Sequence, residues 1–209
     1  MIWKGGMEGV SCVILAGGRG KRIGGEKAFV PLGGLPLFEH VYRVCKDLFE
    51  EIIIVTNELE RFTSYRAIIL EDLIPGIGPL GGLYTGLLRA KNEYCFCAAC
   101  DLPFLRKELI EYLLSQREGY DAVIPSAPDG LHPLLAVYGK GALDEMTRVI
   151  EDGNPKVSSI LSRLKVKFCT AEEMAPYDPS LISLFNVNDL EDLRRAEELM
   201  KGEDIRWNP

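Results

Sequence analysis

Short, almost wholly apolar runs alternate along the chain with stretches whose apolar residues recur at helical spacing. Residues 10–16 form the first such run, and residues 52–56, ending at Asn57, the second. Both are near-continuously apolar, as parallel strands covered on two faces must be. Residues 67–70 form a weaker third, and 94–99 a fourth that ends at Asp101 and Pro103. Further extended segments are expected at 121–125, 133–138, 165–169 and 181–187. Helical spacing predicts helices over 36–48, 80–90, 107–116 and 142–151, a short one near 157–163, and a charged one from 189 to about 200. The string Pro75-Gly76-Ile77-Gly78-Pro79 is a turn signal before the second of these, and 171–179 reads as loop. Strands alternating with helices at this spacing predict an α/β three-layer sandwich with a mainly parallel sheet.

The chain has 209 residues and neither an internal repeat nor a low-complexity linker. A single domain over 10–203 is expected, with 1–9 a loose N-terminal extension and 204–209 a tail. The net charge of −7 argues against nucleic acid or an anionic membrane as partner, because such surfaces need a basic excess. An anionic ligand must therefore meet a local cluster of cations. No apolar run reaches the ~18 residues of a membrane span, and the first residues lack a signal-peptide core. Cytoplasm is the expected location. Six cysteines are present, three of them in Cys95-Phe96-Cys97-Ala98-Ala99-Cys100. Cys97 and Cys100 have C-x-x-C spacing, yet His40 and His132 are the only histidines and no set completes a tetrahedral zinc site. Packing in a buried strand is the better reading.

Ligands of open α/β sheets sit beyond the carboxyl ends of the strands, which directs attention to Leu15-Ala16-Gly17-Gly18-Arg19-Gly20-Lys21-Arg22. This loop is not a P-loop, since Gly20-Lys21 is followed by Arg22 rather than Ser or Thr. It is not the dinucleotide pattern either, because position 23 is Ile23 and not glycine. Arg19, Lys21, Arg22 and Lys27 place four cations within nine positions of an acidic protein. Glycines let backbone amides approach phosphates, and the cations offset the roughly three to four negative charges of a triphosphate. A solvated basic loop would look much the same in isolation. Asp101, at the end of an apolar strand, suits Mg²⁺, which takes oxygen ligands and often only one or two carboxylates. A turn or helix-capping aspartate before Pro103 is the alternative.

The spacing Leu15-Ala16-Gly17-Gly18-x-x-x-Arg22-x-Gly24-x-x-Lys27 resembles the signature of sugar- and cofactor-nucleotidyltransferases. That resemblance implies a Rossmann-like nucleotidyltransferase fold of the nucleotide-diphospho-sugar transferase type. It implies that Leu15, Ala16, Gly17, Gly18 and Arg19 wrap the triphosphate while Arg22 and Lys27 reach its oxygens. Cys100-Asp101-Leu102-Pro103 fits the family's metal-bearing turn and implies Asp101 as the Mg²⁺ ligand. Asp72 through Gly78-Pro79-Leu80-Gly81-Gly82 resembles the D-x-x-x-x-x-G-P-L-x-G segment of molybdenum cofactor guanylyltransferases. By that resemblance Asn57 and Asp72 contact the nucleoside, and Gly81 offers helix-start amides to the base.

His132-Pro133-Leu134-Leu135-Ala136-Val137-Tyr138 resembles the same family's H-P-x-x-A-x-Y strand, with His132 substrate-shaping or structural rather than a base. Asn186 and Asn188 resemble its closing N-x-N, implied to face the pterin. An extended segment would put both side chains on one face. Asn188 could instead cap the last helix with Glu191 as partner. Ile23 and Glu26 stand where Met and Asp are common. The resemblance spans about residues 10–200 and implies transfer of GMP from GTP to molybdopterin with release of pyrophosphate. GTP, molybdopterin, Mg²⁺ and transient contact with other cofactor-biosynthesis proteins are the implied company. A cytidylyl or sugar-phosphate enzyme of this fold, or a nucleotide-binding regulatory module without turnover, are the rival readings.

Overall fold

Residues 9–17, 19–20, 25–153 and 155–202 are described by the computed structural model, without the side chains of 19, 20 and 25. The first strand, β1 (Val10–Leu15), is buried along its whole length and the sheet is assembled around it. Two-residue arms β2 (Arg19–Gly20) and β3 (Gly25–Glu26) pair antiparallel, followed by the small hairpin β4 (Pro31–Leu32) and β5 (Leu35–Pro36). Then come α1 (Leu37–Leu48), β6 (Glu51–Val55), β7 (Ile68–Leu70), α2 (Pro79–Arg89), β8 (Tyr94–Ala99) and α3 (Lys107–Ser115). The remainder is β9 (Ala122–Ala127), β10 (Gly130–Leu131), β11 (Leu135–Gly139), α4 (Leu143–Glu151), α5 (Val157–Leu161), β12 (Val166–Thr170), α6 (Ala171–Met174) and α7 (Leu190–Lys201).

The strand order is β10-β9-β11-β8-β1-β6-β7, with β12 added beside β9. β7, β6, β1 and β8 run parallel, β9 and β12 run parallel to each other, and β11 is antiparallel to both β8 and β9. The sheet is therefore mainly parallel, as the apolar runs predict. Alternation divides the side chains between two cores. Cys12 and Ile14 of β1 join Phe38, Val41, Leu109 and Leu113 of α1 and α3 on one face. Val13 and Leu15 join Leu83 and Leu87 of α2 and Met146 and Val149 of α4 on the other. A third, smaller cluster packs Ala196 of α7 against Leu32, Leu37, Phe104 and Val187.

Helix α2 lies unusually close to the sheet. A Cβ at Gly86 would stand 2.3 Å from Val13 Cγ1, and one at Gly82 3.1 Å from Leu15 Cδ2. Two absent methyl groups thus bring the start of this helix down over the strand ends.

All six cysteines are free and buried. Burial pushes the Cys95 thiol up to about 12 and Cys97 further in the same direction. Among the described residues no His, Cys, Asp and Glu group of three could hold a metal, and no helix is long and apolar enough to cross a membrane.

Two segments differ from the sequence expectation. Within 171–179, residues Ala171–Met174 form a helical turn closed by a capping box between Thr170 and Glu173. Residues 181–187 are not a strand. Leu181 takes a left-handed φ of 51°, and Ile182–Leu184 form a 3-10 turn. The cause is Asp178, whose carboxylate collects the Ile182 and Ser183 amides that a sheet ladder would have used.

Candidate functional site

The carboxyl ends of β1, β6 and β8 open into a cleft of about 690 Å³. Its floor is tied one residue past each strand, by Ala16 N to Val55 O at 2.9 Å, Thr56 N to Leu70 O at 2.9 Å and Cys100 N to Leu15 O at 3.1 Å. Leu15, Gly17, Val55, Thr56, Asn57 and Asp101 line the cleft on this side. The Thr56 hydroxyl accepts from Glu58 N at 3.1 Å and so fixes the turn that carries Asn57.

The opposite wall comes from the glycine turn and α2, through Asp72, Gly76, Gly78, Pro79 and Gly82. Gly78 precedes α2 with φ 79° and ψ −157°, backbone that suits glycine, and Pro79 opens the helix where its missing N–H costs nothing. Asp72 Oδ1 accepts from Ile74 N at 3.0 Å and from the Thr85 hydroxyl at 3.3 Å. Gly81 leaves it the space, since a Cβ there would meet Asp72 Oδ2 at 2.8 Å.

Lys27 begins the 3-10 turn Lys27–Phe29 and joins residues far apart in sequence. Its ammonium contacts Asp101 Oδ2 and donates to Asn188 Oδ1 at 2.9 Å. Val187 N donates to Asp101 O at 3.0 Å, locking the Asn186–Asn188 segment onto the Asp101 turn. Among the described residues, the buried Asp101 Oδ1 and Asn186 Oδ1 have no hydrogen-bond partner. A buried acceptor left unsatisfied costs about 1–3 kcal/mol, so neither oxygen stabilises the fold and both hold unmet bonding capacity at the cleft. A carboxylate oxygen free in a cleft fits a hard divalent cation.

The capping alternatives for these residues fall away. Asp101 caps no described helix, as α3 begins only at Lys107 after Arg106, although it does sit in a turn as the other alternative had it. Asp189, not Asn188, caps α7, accepting from Glu191 N and Asp192 N. That leaves the Asn188 side chain to Lys27, while Asn188 N donates to Asp192 Oδ2 at 2.8 Å.

The structure therefore brings together Leu15, Gly17, Lys27, Asn57, Asp72, Asp101, Asn186 and Asn188 on one cleft. Ala16 and Gly81 do not line it and stand beside residues that do. Gly18, Lys21, Arg22, Ile23 and Gly24, and the side chain of Arg19, lie outside the described residues. His132 is set apart on a turn, with Nε2 3.1 Å from Asp129 Oδ1, which fits a structural role. Thr56 and Leu134 also line the cleft and were not singled out from sequence, and Cys100, read there as strand packing, lines it too. Cys100 and Leu134 lie within the two recognised strings, so proximity to Asp101 and His132 was the available signal. Burial, with the Asp101 charge beside it, pushes the Cys100 thiol up to about 12, so it stays protonated and is no nucleophile at neutral pH.

The chain matches the MobA-like NTP transferase domain over residues 12–167. It is 33% identical over 198 residues to the molybdenum cofactor guanylyltransferase of Desulfosudis oleivorans, covering 94% of this chain and 98% of that one. A probable molybdenum cofactor guanylyltransferase of Pelotomaculum thermopropionicum is 35% identical over 190 residues, covering 91% and 93%. Among solved structures, molybdopterin-guanine dinucleotide biosynthesis protein A from Archaeoglobus fulgidus superposes with a TM-score of 0.82 at 36% identity, covering 91% of this chain and 98% of that one.

Proposed function

The chain belongs to the MobA-like NTP transferase family, and from that premise we propose that it transfers GMP from GTP to molybdopterin, forming molybdopterin guanine dinucleotide and releasing pyrophosphate. The terminal phosphate oxygen of molybdopterin attacks the α-phosphorus of GTP. The new P–O bond forms as the bond to the β-phosphate oxygen breaks, and its electron pair leaves with pyrophosphate. Such transfer needs positioning and electrostatic stabilisation rather than a covalent enzyme intermediate.

In this reading Leu15, Ala16, Gly17, Gly18 and Arg19 cradle the triphosphate through backbone and charge. Lys27 and Arg22 stabilise the charge that gathers on the departing pyrophosphate. Asn57, Asp72 and Gly81 hold the guanosine, and Asn186 and Asn188 orient the pterin. Asp101 holds Mg²⁺, which supplies Lewis-acid polarisation of the phosphate oxygens when bound. For Lys27 to serve the phosphates, its ammonium exchanges part of its contact with Asp101 and Asn188 for phosphate oxygen. The working unit is residues 10–203, acting in the cytoplasm on soluble substrates, with transient contact to other cofactor-biosynthesis proteins.

The observation that carries this reading is the unpartnered Asp101 Oδ1 beside the Lys27 ammonium at the carboxyl end of a parallel sheet. Pyrophosphate release, measured with molybdopterin, Mg²⁺ and each of the four ribonucleoside triphosphates, tests it. GTP is expected to give the highest kcat/KM by at least about tenfold, the gap expected when hydrogen-bonding groups select a base. Turnover favouring CTP would reassign the nucleotide, and no turnover with any of the four would leave only a binding module.

A further inference from the structure

The acceptor asparagines sit on a segment outside the described strands, and the residue that organises it is not among those lining the cleft. Asp178 is a carboxylate with 0% exposure. Oδ1 accepts from Ile182 N at 3.2 Å and Oδ2 from Ser183 N at 2.8 Å, while Arg106 Nε lies 3.3 Å from Oδ1. The Asp178 carbonyl also accepts from Leu181 N at 2.9 Å, closing the turn in which Leu181 holds a left-handed φ of 51°. A buried carboxylate is tolerated only when paired and hydrogen-bonded, and here three donors meet it.

These donors come from two segments that each lead to the site. Arg106 lies five positions after Asp101, and its own amide donates to Ser183 Oγ at 2.9 Å. Ser183 lies three positions before Asn186. Between those residues the rings of Phe104 and Phe185 meet with centroids 5.9 Å apart, and at the far end Val187 N binds Asp101 O at 3.0 Å. The two segments therefore lie against each other with the Asp178 group at one end and the metal-bearing turn at the other.

Accepting the guanylyl transfer described above, we propose that Asp178, with Arg106 and Ser183, is a positioning element that sets Asn186 and Asn188 in register with Asp101. It touches no substrate. It fixes where the acceptor half of the cleft stands relative to the nucleotide half, and so governs the pterin more than GTP, whose contacts it meets only through the Asn188 bond to Lys27.

Asp178→Asn removes the charge at nearly constant shape, and Ser183→Ala deletes one link with little risk to folding. Two readouts are needed. In the first, amide hydrogen exchange of Val187 quickens in both variants, by about tenfold or more in Asp178→Asn, while the amides of β1 and β8 keep their protection. In the second, GTP affinity measured with Mg²⁺ stays within about twofold while the KM for molybdopterin rises about tenfold, the scale expected when a positioned group is displaced. Unchanged protection at Val187, or equal loss of GTP affinity and acceptor KM, overturns the proposal in favour of a general stabilising role. A parent protein that gives no pyrophosphate from GTP and molybdopterin counts against the functional reading instead, and the exchange of Val187 then decides the positioning proposal alone.

Discussion

Polar residues gather at both ends of β1, and the two groups differ in how completely they are satisfied. At the amino end, Ser11 Oγ donates to Glu51 Oε2 and accepts from Asn92 Nδ2 at 3.1 Å, while Lys91 N donates to the same Glu51 oxygen at 3.0 Å. Strands β1 and β6 and the turn before β8 are stitched together there by side chains that answer one another. At the carboxyl end, Lys27 is shared between Asp101 and Asn188, and Asp101 Oδ1 and Asn186 Oδ1 answer to nothing among the described residues. The same kinds of group thus do two kinds of work. A closed network stabilises the fold, whereas an open one holds unmet bonding capacity, which the proposed function assigns to substrate and metal.

The sharpest way to test that contrast is to remove the carboxylate from the open end. Asp101→Ala is expected to lower kcat/KM for pyrophosphate release on the order of 10²–10³-fold, the scale seen when a group stabilising transition-state charge is lost. Its urea midpoint should fall by no more than the loss of the single Lys27 pair, because Oδ1 carries no bond within the fold and Asn188 still holds the ammonium; a larger fall in the midpoint would contradict the contrast. The reverse is expected of Ser11→Ala, which leaves Glu51 Oε2 only the Lys91 amide and strands the Asn92 side-chain amide. Unfolding free energy should drop by about 1–3 kcal/mol with turnover preserved, and a loss of turnover without loss of stability would undo the distinction. The smallest effect concerns the middle of the sheet. With Cys95 and Cys100 held up near 12 by burial, a thiol reagent at pH 8 should leave the native protein essentially unlabelled and titrate all six thiols once it is denatured.

How far the sequence was legible follows the same division. Runs such as Cys12–Leu15 and Ile52–Val55 announce buried parallel strands because both faces are covered and every side chain must be apolar. Lys27, Asp101, Asn186 and Asn188 stood out because their motifs are long enough to be recognised. What was hidden depends on partners distant in sequence. Leu181–Val187 has a strand's apolar content, yet its amides were claimed by the Asp178 carboxylate. Adjacent Asn188 and Asp189 both suit a helix cap, and only the folded chain shows Asp189 taking the cap while Asn188 turns to Lys27. The antiparallel course of β11 was equally hidden, since a buried strand reads the same in either direction.

The Lys27 contacts have a temporal consequence. The ammonium meets partners 74 and 161 positions downstream, so the cleft closes on itself only when the last fifth of the polypeptide is in place. During synthesis β1, β6 and β8 can pair as they emerge, but the other side of the cleft waits for residues 178–188. A nascent or truncated chain without these residues presents Lys27 and Asp101 but lacks the Asn188 contact that completes the cleft.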